Sequence, residues 1–198
     1  MKGLIIGTYV LTLALQCNNL TASAGFTAVI ENIEIPTIQC EEYTIPEYSG
    51  FKSFMSYKTF GKNTNQHKLQ QLAVTDENGF RRVKDYYVIA VGSFFEARIG
   101  QRIDLILENG EVIKCLVGDE KAEKDTDITN IFSRNNCMSE FVVDLKQLEA
   151  TVKNRGDVSF FPDEEWESPV VKVILYDEDL EDISLIPTDK PVGLRNDP

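Results

Sequence analysis

The stretch RIDLILENGEVIKCLV, residues 102–117, decides the fold class. Ile103, Leu105 and Leu107 recur at every second position, the period of a strand with one buried face. Asn109-Gly110 interrupts, and Val112 to Val117 resumes the apolar run. Strand, Asn-Gly, strand is the strongest short-range hairpin signal, because the tight turn needs positive φ at both central residues. Upstream, Tyr86 to Val91 (YYVIAV) is a continuous apolar run of strand length. Downstream, Glu140 to Asp144 (EFVVD) and Val170 to Tyr176 (VVKVILY) are two further strands. Thr64 or Asn65 caps a short helix through Lys68, Leu69 and Leu72, which ends before Asp76 and the Asn78-Gly79 turn. Asp144 caps a second, with Leu145, Leu148 and Val152 at helical spacing and Gly156 as its stop. Short strands with one or two helices predict a mainly β chain, folded as a small barrel or sandwich.

The ends of the 198-residue chain read differently. Lys2, the apolar run Leu4 to Leu15 and the small residues Ala22-Ser23-Ala24 have the three parts of an export signal. Residues 1–24 are therefore expected to be cleaved, with an uncleaved anchor as the alternative, and the mature chain to be secreted or wall-associated. Residues 25–62 read as an N-terminal arm. Phe26 to Pro46 alternates apolar and acidic residues around Pro36 and Pro46, which allows one edge strand. The barrel is expected over 63–177 and an acidic tail over 178–198. Loss of Lys2 with the leader takes the net charge from −12 to −13. Such a chain has no basic stripe for nucleic acid and no attraction to anionic membranes, so membrane contact is expected only through the leader.

With Cys17 in the leader, Cys40, Cys115 and Cys137 remain. Cys115 ends one apolar run and Cys137 precedes another, so a bridge between them would pin the acidic segment and leave Cys40 free. A loop of about twenty residues would gain on the order of 3 kcal/mol from that cross-link. The other reading is three buried thiols that act as small hydrophobes.

Two stretches carry a family resemblance. Tyr87-Val88-Ile89-Ala90-Val91-Gly92-Ser93 is followed by Ile99-Gly100, and Val117-Gly118-Asp119-Glu120-Lys121-Ala122 by Asp125-Thr126-Asp127. Together they resemble the double-psi β-barrel of the 3D domain, which is similar to the catalytic barrel of membrane-bound lytic transglycosylase A. Asp119 stands where that family has its strand-end acid, and Asp127 where it has a second Asp. Glu120-Lys121 replaces the family's Thr-Gly. A wider pattern, from Leu69-Gln70 through Thr75-Asp76 to Glu165-Trp166-Glu167-Ser168-Pro169-Val170, resembles uncharacterised proteins of clostridia and their phages. The first resemblance implies a double-psi barrel that cleaves peptidoglycan glycan strands without metal or cofactor.

The residues allow that chemistry. A glycan cleaver needs a protonated carboxyl for the glycosidic oxygen, and lytic transglycosylases use a single acid/base because the sugar's own hydroxyl is the nucleophile. Asp119 follows an apolar strand and has Asp127 nearby, and both effects would raise its pKa. The expected site is Asp119 as acid/base and Asp127 as its orienting partner. Thr126, Lys121, Asp125 and Trp166 would then contact substrate, with Thr126 donating to sugar and Trp166 rimming a groove. Lys121 would oppose the shift if it paired with Asp119. A plainer reading stands beside this one: Gly118-Asp119 as an ordinary turn and Asp125-Thr126-Asp127 as a solvated loop. Glu120, Glu123, Asp125 and Asp127 lack the glycine and spacing of a calcium loop, and His67, the single histidine, is expected at the surface. The non-catalytic alternative is a secreted or phage-associated module that binds wall glycan or a protein partner.

Overall fold

The computed structural model describes residues 39–46, 50–162 and 165–179. The leader at 1–24 and the tail beyond 179 lie outside the described residues. The chain is mainly β, with two α-helices and several single 3-10 turns.

The Asn109-Gly110 hairpin joins β6 (Gln101–Leu107) to β7 (Val112–Lys121) in antiparallel register, with Ile103 opposite Cys115. β5 (Tyr86–Gly92) lies parallel to β7. On its other edge β5 pairs first with β4 (Arg81–Val83) and then, through Ile89–Val91, with β8 (Ser139–Val143). β9 (Val170–Asp179) lies against β6, β1 (Cys40–Thr44) against β9, and β3 (Val74–Thr75) against β4. β2 (Ser53–Ser56) runs parallel to β8. The result is a mixed nine-stranded sheet that does not close on itself.

The described part of the expected arm at 25–62, residues 39–46 and 50–62, is therefore not separate from the body. Residues 40–56 supply β1 at one edge and β2 as partner to β8. The last strand also runs beyond Tyr176 to Asp179, into the acidic run.

α1 (Asn65–Leu72) starts where Thr64 accepts a hydrogen bond from the His67 amide. Its Leu69 packs with Ala73, Val83, Val88, Leu116 and Val142 into a small core on one face of the sheet. Arg81 donates to the carbonyls of Gln70 and Ala73, satisfying acceptors at the helix end. The larger core lies on the other face, where Phe80, at 0% exposure, meets Tyr87, Phe141, Phe161 and Trp166 edge-on. α2 is shorter than its spacing predicts, Ala150–Arg155, capped by Glu149 and ended by Gly156 at φ 70°. Asp144 instead caps a turn, its carboxylate accepting from the Lys146 amide. The Asp144 and Glu149 amides donate to Gly79 and Asn78, which holds the intervening residues in that turn.

Cys40, Cys115 and Cys137 are buried thiols outside any disulfide, so the expected Cys115–Cys137 bridge is absent. Cys115 sits within β7 in the larger core. Cys137 lies before β8, where its sulfur accepts from the Ser53 amide and its thiol donates to the Ser139 carbonyl. Each sulfur is satisfied locally and faces a different neighbour. Adding a thiol reductant is accordingly expected to leave the thermal midpoint unchanged. A drop of several degrees on reduction, read by circular dichroism, would restore the bridge.

Candidate functional site

The site begins with a bulge. β5 and β7 pair as Ile89 with Val117, then as Ala90 with Asp119, so Gly118 is an extra residue on β7. Asp119 is therefore not at a strand end: the strand runs on through Lys121. Without the bulge, Asp119 would share a face with Val117, inside the larger core. With it, Asp119 faces the α1 side, and Gln66 from the first turn of α1 donates to its carboxylate at 3.0 Å. Only glycine fits at 118, since a Cβ there would lie 2.2 Å from Cγ1 of Val88. Val88 is fully buried and β-branched, so it cannot swing aside. Gly118→Ala is expected to cost about 1–3 kcal/mol, read by urea unfolding; an unchanged midpoint would show that the bulge tolerates a side chain.

The bulge also chooses the partner of Asp119. Ala90 lies between Asp119 on β7 and Glu140 on β8, and residues directly opposite one another share a face. The two carboxylates flank one small side chain, two strand spacings or about 9–10 Å apart at the backbone. Burial raises the Asp119 pKa and the Glu140 charge raises it further, against the hydrogen bonds from Gln66 and the Glu120 amide. Lys121 turns to Glu140, with Nζ 3.8 Å from Oε1, and donates to the Cys137 carbonyl at 3.2 Å. It does not pair with Asp119.

Glu120 was not among the expected site residues. Burial first, then the charges of Asp119 and Glu123, push its pKa up to about 7. A carboxyl raised on folding binds more protons folded than unfolded. Its contribution to stability is thus greatest below about 4.5 and is lost as the pH climbs towards 7. Glu120→Gln is expected to flatten the fall in thermal midpoint across that window. An equal fall in the variant would assign the pH dependence to other groups.

The loop from 122 to 138 closes over Gly92, where a Cβ would lie 1.8 Å from the Asn130 carbonyl oxygen. Two of its polar side chains, Asp127 and Thr126, hold the loop's own shape. The Asp127 carboxylate accepts from Thr129 Oγ1 at 2.8 Å and from the Phe132 amide at 3.3 Å. The Thr126 hydroxyl, buried, is hydrogen bonded to the Glu123 carbonyl and Asn130 Oδ1. Asp125 lies exposed in the 3-10 turn Glu123–Asp125. The expected orienting role of Asp127 and donor role of Thr126 are thus corrected: both side chains staple the loop, and the charge that faces Asp119 is Glu140. Trp166 is corrected too. It is 4% exposed and stacks on Phe141 with ring centroids 5.5 Å apart, so it cannot rim a groove. His67 is half-buried at the start of α1.

Glu140 had a readable signal. It is a charged residue in an apolar run, and β8 is paired on both edges, where charge is rarely placed without a role. Among the described residues, no group of three or more His, Cys, Asp or Glu side chains is gathered as a metal site. Two clefts open elsewhere, of about 460 and 570 Å³, and neither is lined by Asp119 or Asp127. No protein-family model, curated protein or solved structure matches the chain.

Proposed function

We propose that this protein is a secreted or wall-associated glycan-cleaving enzyme of lytic-transglycosylase type, acting on peptidoglycan with Asp119 as acid/base. The observation that carries this reading is the Gly118 bulge, which sets a half-buried Asp119, its pKa raised by burial, on the same face as Glu140. Protonated Asp119 gives its proton to the glycosidic oxygen as that bond to the anomeric carbon breaks. Glu140, which lies beside Lys121, stabilises the oxocarbenium-like centre that develops. The sugar's own hydroxyl then attacks the anomeric carbon and returns its proton to Asp119, which closes an anhydro ring and restores the acid. Gln66 holds the Asp119 carboxyl in one orientation during both transfers.

The test is product analysis after incubating the protein with purified Gram-positive peptidoglycan. Fragments ending in anhydro-sugars support the proposal. Fragments with ordinary reducing ends would make the pair a two-carboxylate hydrolase, and no release would end the catalytic reading. The non-catalytic alternative, a wall-binding module, draws on one specific observation: the aromatic clefts at Phe160, Phe161 and Tyr87 do not include the acids. Sedimentation of the protein with wall material that it fails to cleave would favour it.

A further inference from the structure

We propose that the cleft between the end of α2 and the described residues 159–162 and 165–168 binds the end of a short peptide that carries a free carboxylate beside an amine. The cleft has a volume of about 460 Å³, of the size that takes a dipeptide. One wall holds Arg155, exposed in the last turn of α2, with its guanidinium 4.1 Å from the centre of the Phe160 ring. Glu165 and Glu167 also line the cleft. They are exposed on either side of Trp166, which is buried in the aromatic core, so the turn itself presents both carboxylates outward. None of these three charged side chains forms an ion pair among the described residues.

The rest of the lining is already committed. The Asn109 side chain donates to the Glu165 carbonyl at 2.9 Å, and its backbone amide donates to Ser168 Oγ at 3.0 Å. The Ser159 hydroxyl donates to the Gly50 carbonyl. Lys52 donates to the carbonyls of Trp166 and Ser168, which fixes the turn that carries the two glutamates. Among the described residues, the charged groups left for a ligand are therefore one planar cation and two anions, beside the apolar Phe161 and Pro162. A neutral sugar would desolvate these charges without compensating them. A peptide end answers all of them: its carboxylate meets the Arg155 fork, and an α-amine with a basic side chain meets Glu165 and Glu167. This site does not depend on the Asp119 chemistry, and it stands if the protein proves inactive on glycan.

The experiment is a titration of the full chain, followed by amide chemical shifts, with three probes: the dipeptide Lys-Ala, its C-terminal amide and its N-acetyl form. Shifts are expected around Arg155, Phe160 and Glu167, with the C-terminal amide binding about tenfold more weakly than the free acid. Arg155→Gln, at an exposed position, is expected to remove the difference between acid and amide. The double variant Glu165→Gln with Glu167→Gln is expected to weaken Lys-Ala while keeping that difference. Asp119→Asn is expected to bind all three probes as the parent does. Equal affinity for acid and amide, no effect of Arg155→Gln, shifts confined to other surfaces, or no binding at all would each overturn the proposal.

Discussion

Asp119→Asn is expected to reduce the release of glycan fragments by about 10²- to 10⁴-fold, the usual weight of a positioned acid/base. The amide has the same shape and keeps an oxygen to accept from Gln66 at the present geometry, so the bulge and the α1 contact should survive. Removing a half-buried carboxyl whose pKa is raised also relieves the cost of charging it. The variant is therefore expected to be at least as stable as the parent near neutral pH. This combination separates a catalytic role from a structural one: activity falls while the thermal midpoint holds or rises. Glu140→Gln should cost less in rate, because it removes electrostatic support and leaves the proton donor in place. The alkaline limb of the parent's pH–rate profile should then move to lower pH, since the Glu140 charge that adds to burial in raising Asp119 is gone. Asp127→Asn provides the contrast. Its carboxylate binds Thr129 and the Phe132 amide within its own loop, so its loss should loosen the loop and leave the pH profile in place. A fully active Asp119→Asn protein would remove Asp119 from the chemistry.

The legible parts of this fold were those encoded by neighbours in sequence. The Asn109-Gly110 hairpin, the YYVIAV strand and the Thr64 cap each rest on residues a few positions apart, where turn chemistry and periodicity act directly. What periodicity did not reveal came from contacts made over long separations. β2 is a four-residue strand of mixed character, held by parallel pairing to β8 some ninety residues later. The apolar run stops at Val117, yet β7 continues to Lys121 because β5 still offers backbone partners there. A bulge changes which face every later side chain takes, so period-2 reading across Gly118 assigns Asp119 to the wrong side. That one residue explains why proximity in sequence suggested Asp127 as the partner. Sheet register brings in Glu140 instead. Trp166 misled for a related reason: acidic residues on both sides suggest exposure, but alternate residues of a turn can face opposite ways.

Lys52→Met is expected to destabilise the fold by about 3 kcal/mol or more, the largest loss of stability among the substitutions considered. Lys52 is 1% exposed, and its ammonium donates to the carbonyls of Gly50, Trp166 and Ser168 at 2.9, 2.6 and 3.0 Å. Burial lowers its pKa to about 8, which leaves it charged at neutral pH, and three donors then match three acceptors. Its backbone is equally engaged, donating to Asp157 and accepting from the Val158 amide. Methionine fills nearly the same volume, so little of the loss would come from packing. The cost lies in three carbonyls that no longer have a donor, each worth about 1–3 kcal/mol when buried and unpaired, against which the relief of desolvating a cation is a partial offset. Lys52→Arg tests the same point from the other side, since it keeps the charge while placing a planar fork where a compact ammonium sits; it too should lose stability. Urea unfolding of both variants gives the measurement. If Lys52→Met unfolds within about 1 kcal/mol of the parent, the three carbonyls are satisfied by water, and the joint between β2 and the Trp166 turn rests on packing alone.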